Sequence, residues 1–170
     1  MAGMTPGVNG EANLSSAGGD EVNHSYEVRP IGAVESELTD PASAPRQGYE
    51  GAPDAWLVFE SDVLEGLDGL RPGDEVVVLT WLHRAHRDEL RTHPCGDLSR
   101  PEQGVFSTCS PHRPNPIGLH PVEIVSIDGG RVRVRPLEAV DGTPIVDLKP
   151  LLGRDGSPIH REPSSDPPST

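Results

Sequence analysis

HPVEIVSIDGGRVRVRPL, residues His120 to Leu137, decides the fold class. Two aliphatic, β-branched runs flank Asp128-Gly129-Gly130, whose glycines give the backbone freedom a tight hairpin needs. The reading is a pair of strands, His120–Asp128 and Arg131–Leu137. In the second, Val132 and Val134 share one face, and Arg131, Arg133 and Arg135 share the other. That arginine row fits either a solvated surface or a stripe contacting phosphates.

Other strands lie upstream at short intervals. Glu75–Leu82 carries a continuous Val-Val-Val-Leu run that predicts burial on both faces. The turn Arg71-Pro72-Gly73-Asp74 leads into it. Ala55–Phe59 reads as a strand, Ser61–Leu67 as one or two helical turns, and Val28–Ser36 as an edge or bent strand because of Pro30 and Gly32. The polar stretch from His83 to Thr92 suggests a short helix or an excursion from a barrel rim. Short strands, Gly/Pro turns and little helix point to a mainly β barrel with short helical excursions.

The chain has 170 residues and a net charge of −13. It is expected to form one domain over residues 25–153, with tails at 1–24 and 154–170 too poor in large apolar side chains to order themselves. Between Tyr26 and Gly153 stand 21 acidic against 12 basic residues, which leaves −9, so the tails do not explain the acidity. Such a balance counts against a nucleic-acid substrate, since phosphate neutralisation supplies much of that affinity. It favours the approach of a cation. No apolar run is long enough to span a bilayer and the N-terminus lacks a secretion signal, so the expected location is cytoplasmic with no membrane partner. Cys95 and Cys109 are then read as reduced thiols.

Chemistry concentrates in GVFSTCSPHRPNPIGL, Gly104 to Leu119. Pro114 and Pro116 hold Arg113 and Asn115 extended, which would project the guanidinium and the amide side by side. Gly118 leaves room for a close approach. Pro45-Arg46-Gln47 offers a cation and an amide in one loop. His83 and Arg84 end the most apolar strand, where a barrel lip would set polar groups beside a cavity. Asp141-Gly142-Thr143-Pro144 is an Asp-Gly turn, followed by Asp147 and Lys149 on one strand face. His83 and His86 have helix-neighbour spacing, but no cysteine or carboxylate completes a zinc pattern, so no metal site is assigned.

With these motifs in this order, the chain from about Tyr26 to Gly153 resembles the TsaA-like family, which includes tRNA methyltransferase O. The resemblance implies a β-barrel that binds S-adenosylmethionine, commonly as a homodimer with sites near the subunit interface. It implies methyl transfer to the exocyclic amine of threonylcarbamoyladenosine in tRNA. By the same resemblance Pro45, Arg46, Gln47, His83, Arg84, Cys109, Leu119, Asp141, Gly142, Thr143 and Pro144 bind the cosubstrate, and His83, Arg113 and Asn115 are the catalytic candidates. The chain departs from the family at Cys109 and Cys95, where relatives carry arginine. Loss of those cations removes charge-assisted contacts that cysteine does not replace.

Three functions follow from this reading. The first is a methyltransferase acting on tRNA. The second keeps the pocket but uses a small-molecule acceptor, or consumes the cosubstrate itself by cyclisation to aminocyclopropane carboxylate with release of methylthioadenosine. The third is a non-catalytic sensor of S-adenosylmethionine.

Overall fold

The computed structural model describes residues 26–161. Six strands close into one barrel: β1 (Gly32–Glu35), β2 (Ala55–Phe59), β3 (Glu75–Trp81), β6 (Ile117–Asp128), β7 (Arg131–Arg135) and β8 (Pro144–Pro150). Their order around the wall is β1-β2-β7-β6-β3-β8, each pair antiparallel, with β8 returning to β1. A separate two-stranded sheet, β4 (Arg91–Thr92) with β5 (Gln103–Gly104), stands in the β3–β6 connection.

Alternation builds the core. Val34, Leu57, Val76, Val78, Val122, Ile124, Val132, Val134 and Ile145 point inward and are buried, and Leu137 plugs the same interior. Each β-branched side chain on a pleated wall removes apolar surface from water without losing much rotamer freedom. The hairpin forms across Asp128–Arg131 as expected, with a register shift between Ile124 and Ser126. β3 differs from its reading: Val76, Val78 and Thr80 are buried, whereas Val77, Leu79 and Trp81 on the outer wall are only half-buried. No helix forms at residues 83–92, which run as turns and bends into β4. Ser61–Leu67 is a 3₁₀ run.

The antiparallel weave sorts the connections to two ends. One end carries β1–β2 (residues 36–54), β3–β6 (82–116) and β7–β8 (136–143), which hold every candidate binding or catalytic residue from Pro45 to Pro144 except Leu119, on β6 itself, and Pro144, the first residue of β8. The opposite end is closed by residues 60–74, the hairpin turn and the segment after β8. Residues 154–161, read above as tail, are instead pinned to the barrel. Glu75 N–H donates to the Ile159 carbonyl at 2.9 Å and Arg161 N–H to Gly73 at 2.7 Å. His160 Nδ1 lies 2.9 Å from Asp74 Oδ1, and Arg161 pairs with Glu75. A composition argument misses this because the contacts are mostly backbone hydrogen bonds. The 1–24 tail and the remainder of the C-terminal tail lie outside the described residues. No helix among those residues is long and apolar enough to cross a membrane.

Candidate functional site

Contacts between the loops draw the motifs together at one barrel mouth. After β1 the chain runs beside the Asp141 turn: Gly142 N–H donates to Val34 at 2.8 Å and Asp141 N–H to Leu38 at 2.7 Å. Asp141 Oδ1 accepts from Ser36 N–H at 3.1 Å. Further along this loop, Thr39 accepts from Arg84 Nη1 at 2.9 Å, which ties the end of β3 to it. Gly48, the residue after Gln47, packs on the β7–β8 connection; a Cβ there would come within 3.1 Å of Pro136 and 3.3 Å of Glu138 Oε2. Pro45-Arg46-Gln47, His83-Arg84 and Asp141–Pro144 therefore belong to one rim.

Several polar groups on this rim are unengaged. The Arg46 guanidinium and the Gln47 amide make no side-chain hydrogen bond among the described residues; Arg46 uses only its backbone N–H, on Glu50 Oε2 at 3.1 Å. His83 is exposed, and its imidazole is held below the ordinary value of 6.5, chiefly by desolvation and then by the neighbouring Arg84 cation. Its neutral form dominates near neutrality. Trp81 Nε1 is buried with no acceptor, the one such side-chain atom among the described residues. A buried orphan donor costs about 1–3 kcal/mol, which an acceptor atom on a ligand or a water would recover.

Other candidates sit elsewhere or are occupied. Arg113 does not project beside Asn115. Its Nε donates to Ser110 at 3.0 Å, and its Nη2 to Val105 at 2.9 Å and Thr108 at 2.6 Å, all backbone carbonyls. The prolines do stiffen the backbone, but the side chain turns back to clamp the loop that carries Cys109. Asn115 is exposed. Thr143 is buried and its hydroxyl donates to Val140 at 2.6 Å, so it shapes the turn rather than facing solvent. Leu119 lies on the outer wall, 66% exposed, away from the interior. Cys95 and Cys109 are both exposed and free. No group of three metal-ligating side chains occurs among the described residues.

Gly118 does permit a close approach, but of the protein's own groups. A Cβ there would stand 2.5 Å from both Thr80 Oγ1 and His120 Nε2. Those two atoms are 2.8 Å apart, and His120 Nδ1 lies 2.7 Å from Glu138 Oε1. This buried chain was missed by motif reading. Its signal was present: His120 alternates with the inward Val122 and Ile124, and an inward histidine needs partners.

The arginine row is neutralised. Arg131 pairs with Glu35, Arg133 with Asp54 at 2.8 Å and Arg135 with Glu123 at 3.2 Å. Arg131 also lies over the Trp56 ring, 5.1 Å from its centroid. These pairs answer the phosphate-stripe alternative with a self-compensated surface. Beside them an open depression of about 370 Å³ is lined by Glu35, Ser36, Glu37, Asp54, Ala55, Trp56 and Asp141. Ser36, Glu37, Asp54 and Asp141 belong to the mouth-end connections, so the depression adjoins the rim on its β1–β2 side.

The model of the tRNA-methyltransferase O N-terminal domain family matches residues 33–154. An S-adenosyl-L-methionine-binding protein of Archaeoglobus fulgidus is 42% identical over 125 residues, 72% of this chain and 86% of that protein. A probable S-adenosyl-L-methionine-binding protein of Methanothermobacter thermautotrophicus is 42% identical over 123 residues, covering 72% and 88%. The crystal structure of TrmO from Pseudomonas aeruginosa superposes with a TM-score of 0.62 at 26% identity, over 86% of this chain and 66% of that one. The chain thus spans slightly less than two thirds of that solved protein.

Proposed function

This chain belongs to the tRNA-methyltransferase O N-terminal domain family, and on that premise we propose that it binds S-adenosylmethionine at the barrel mouth and catalyses methyl transfer from it. The observation that carries this reading is the convergence of Pro45–Gln47, His83-Arg84 and Asp141–Pro144 on one rim through the Arg84–Thr39 and Asp141–Leu38 hydrogen bonds. The residues fit the cosubstrate. Arg46 suits its carboxylate, Gln47 both donates and accepts, and Asp141 offers its remaining oxygen to a ribose hydroxyl. Once bound, the cosubstrate supplies an already activated methyl group, so the protein's share is alignment and exclusion of water.

By family the acceptor is the exocyclic amine of threonylcarbamoyladenosine in tRNA, and His83 and Asn115 orient it, with Arg113 acting at one remove by fixing the adjoining loop. The exposed Leu119 supports a homodimer whose second copy covers the outer wall near the mouth. The free, exposed thiols fit a reducing cytoplasm. A small-molecule acceptor is the second reading. It is favoured by the net charge of −13 and by the pairing of Arg131, Arg133 and Arg135, which leaves that face no cationic stripe for a phosphate backbone.

Incubation with methyl-labelled S-adenosylmethionine and tRNA carrying unmethylated threonylcarbamoyladenosine tests the first acceptor. Label in the nucleoside is the expected result. Binding without transfer to tRNA rejects that acceptor, and methylthioadenosine released from cosubstrate alone identifies the self-consuming route. Absence of binding by a folded sample rejects the site.

A further inference from the structure

The Thr80–His120–Glu138 chain crosses the mouth end of the barrel, and nothing in the reading above uses it. Thr80 is fully buried, and the His120 and Glu138 side chains are 6% and 16% exposed. A carboxylate at Glu138 accepts the His120 Nδ1–H on Oε1, and the Thr80 hydroxyl, which can donate or accept, bonds Nε2. Burial rules out Thr80 as a nucleophile, so this is no hydrolytic triad. Its reach to the surface is through Glu138.

Glu138 presents two different oxygens. Oε1 is anchored from inside by His120 at 2.7 Å. Oε2 has no hydrogen-bond partner among the described residues and faces Gly48, beneath the Pro45–Gln47 loop, where the missing side chain leaves it room. Four carboxylates of the mouth end are engaged, Asp141 by Ser36, Glu50 by Arg46, Glu35 by Arg131 and Asp54 by Arg133, whereas Glu37 is unpaired among the described residues but exposed to solvent rather than held from inside. Glu138 has no Lys or Arg partner among them; the side chain that meets it is His120.

We infer that Glu138, set by His120 and Thr80, is the anionic contact for the sulfonium of the bound cosubstrate. The inference rests on the binding reading of the preceding section. A sulfonium has no N–H to donate, so it is recognised by charge rather than by hydrogen-bond geometry. A fixed carboxylate sheltered by protein attracts it more strongly than a mobile one in water, because the effective dielectric is lower and no reorganisation is needed. His120 and Thr80 are positioning residues.

Titration calorimetry of the full chain with S-adenosylmethionine and with S-adenosylhomocysteine, which lacks the methyl group and the positive sulfur, tests this. The wild type is expected to prefer the sulfonium about tenfold, and Glu138→Gln to bring the two affinities within about twofold, mainly by weakening the sulfonium compound. Gly48→Ala retains the charge but crowds Oε2, is expected to shrink the same ratio, and serves should Glu138→Gln fail to fold by circular dichroism. Equal wild-type affinities, or an undiminished preference in either folded variant, overturn the inference while the binding reading stands. If a folded wild type binds neither compound, the binding reading itself fails.

Discussion

Gly118→Ala is the sharpest test of how the mouth is built. The added methyl would stand 2.5 Å from Thr80 Oγ1, 2.5 Å from His120 Nε2 and 3.1 Å from His120 Cε1. These contacts lie about 1 Å inside ordinary van der Waals separation, where repulsion rises steeply. Retreat is restricted, because Gly118 pairs with Thr80 across the β3–β6 ladder and the Thr80–His120 hydrogen bond is buried. Overpacking costs about 1–3 kcal/mol, and parting a buried hydrogen-bonded pair about 1–3 kcal/mol more. The expected loss is about 3 kcal/mol, or a Tm lower by about 10 °C. Urea unfolding followed by tryptophan fluorescence measures it. A double variant that adds Thr80→Ala removes one of the two clashing atoms, so the pair of substitutions should be non-additive by about 1 kcal/mol in the relieving direction. A Gly118→Ala protein within about 0.5 kcal/mol of wild type, or strict additivity in the cycle, refutes the packing argument.

Arg113→Gln removes a guanidinium that binds three carbonyls, so residues 105–110 should become the first site of limited proteolysis while global stability falls by about 1–2 kcal/mol. Arg113→Lys should not restore protection, since an ammonium cannot reproduce the planar fork. Neutralising Arg131, Arg133 and Arg135 together should leave the salt dependence of any tRNA binding unchanged, because their charges are already paired; a log–log slope shallower by about 3 units would restore the phosphate stripe. His83 should titrate below the ordinary 6.5 in NMR spectra, with desolvation the main cause and Arg84 the second. As the unfolded chain then binds more protons in that window, the His83 contribution to stability should be complete above pH 6.5 and diminish as pH falls toward the folded-state value.

What the sequence disclosed follows the range of the forces involved. β2 begins and ends where its apolar run does, because a strand with one buried face and Pro53 two residues before it is specified locally. The hairpin is equally local, its turn chemistry and alternation agreeing. The family motifs marked the rim, although they could not say which members face a ligand. Thr143 carries the same motif as Asp141 yet has its hydroxyl on Val140, since the turn needs that bond.

The misses share a cause. Side-chain direction in a proline-stiffened segment depends on which carbonyls the fold brings within reach, and for Arg113 those come from the preceding loop rather than from its own strand. The pinned residues 154–161 are invisible to composition for a similar reason: their partners Gly73, Asp74 and Glu75 stand some 80 positions earlier, with the His160–Asp74 contact separated by 86 residues. Gly118 is the instructive intermediate. Its need for space was legible, but two occupants were open, a ligand or the protein itself. The structure fills the space with Thr80 and His120, which moves the candidate ligand contact from the glycine to the far end of the same hydrogen-bond chain, at Glu138. A motif glycine can thus serve a site without touching it, by letting two buried side chains meet and aim a third.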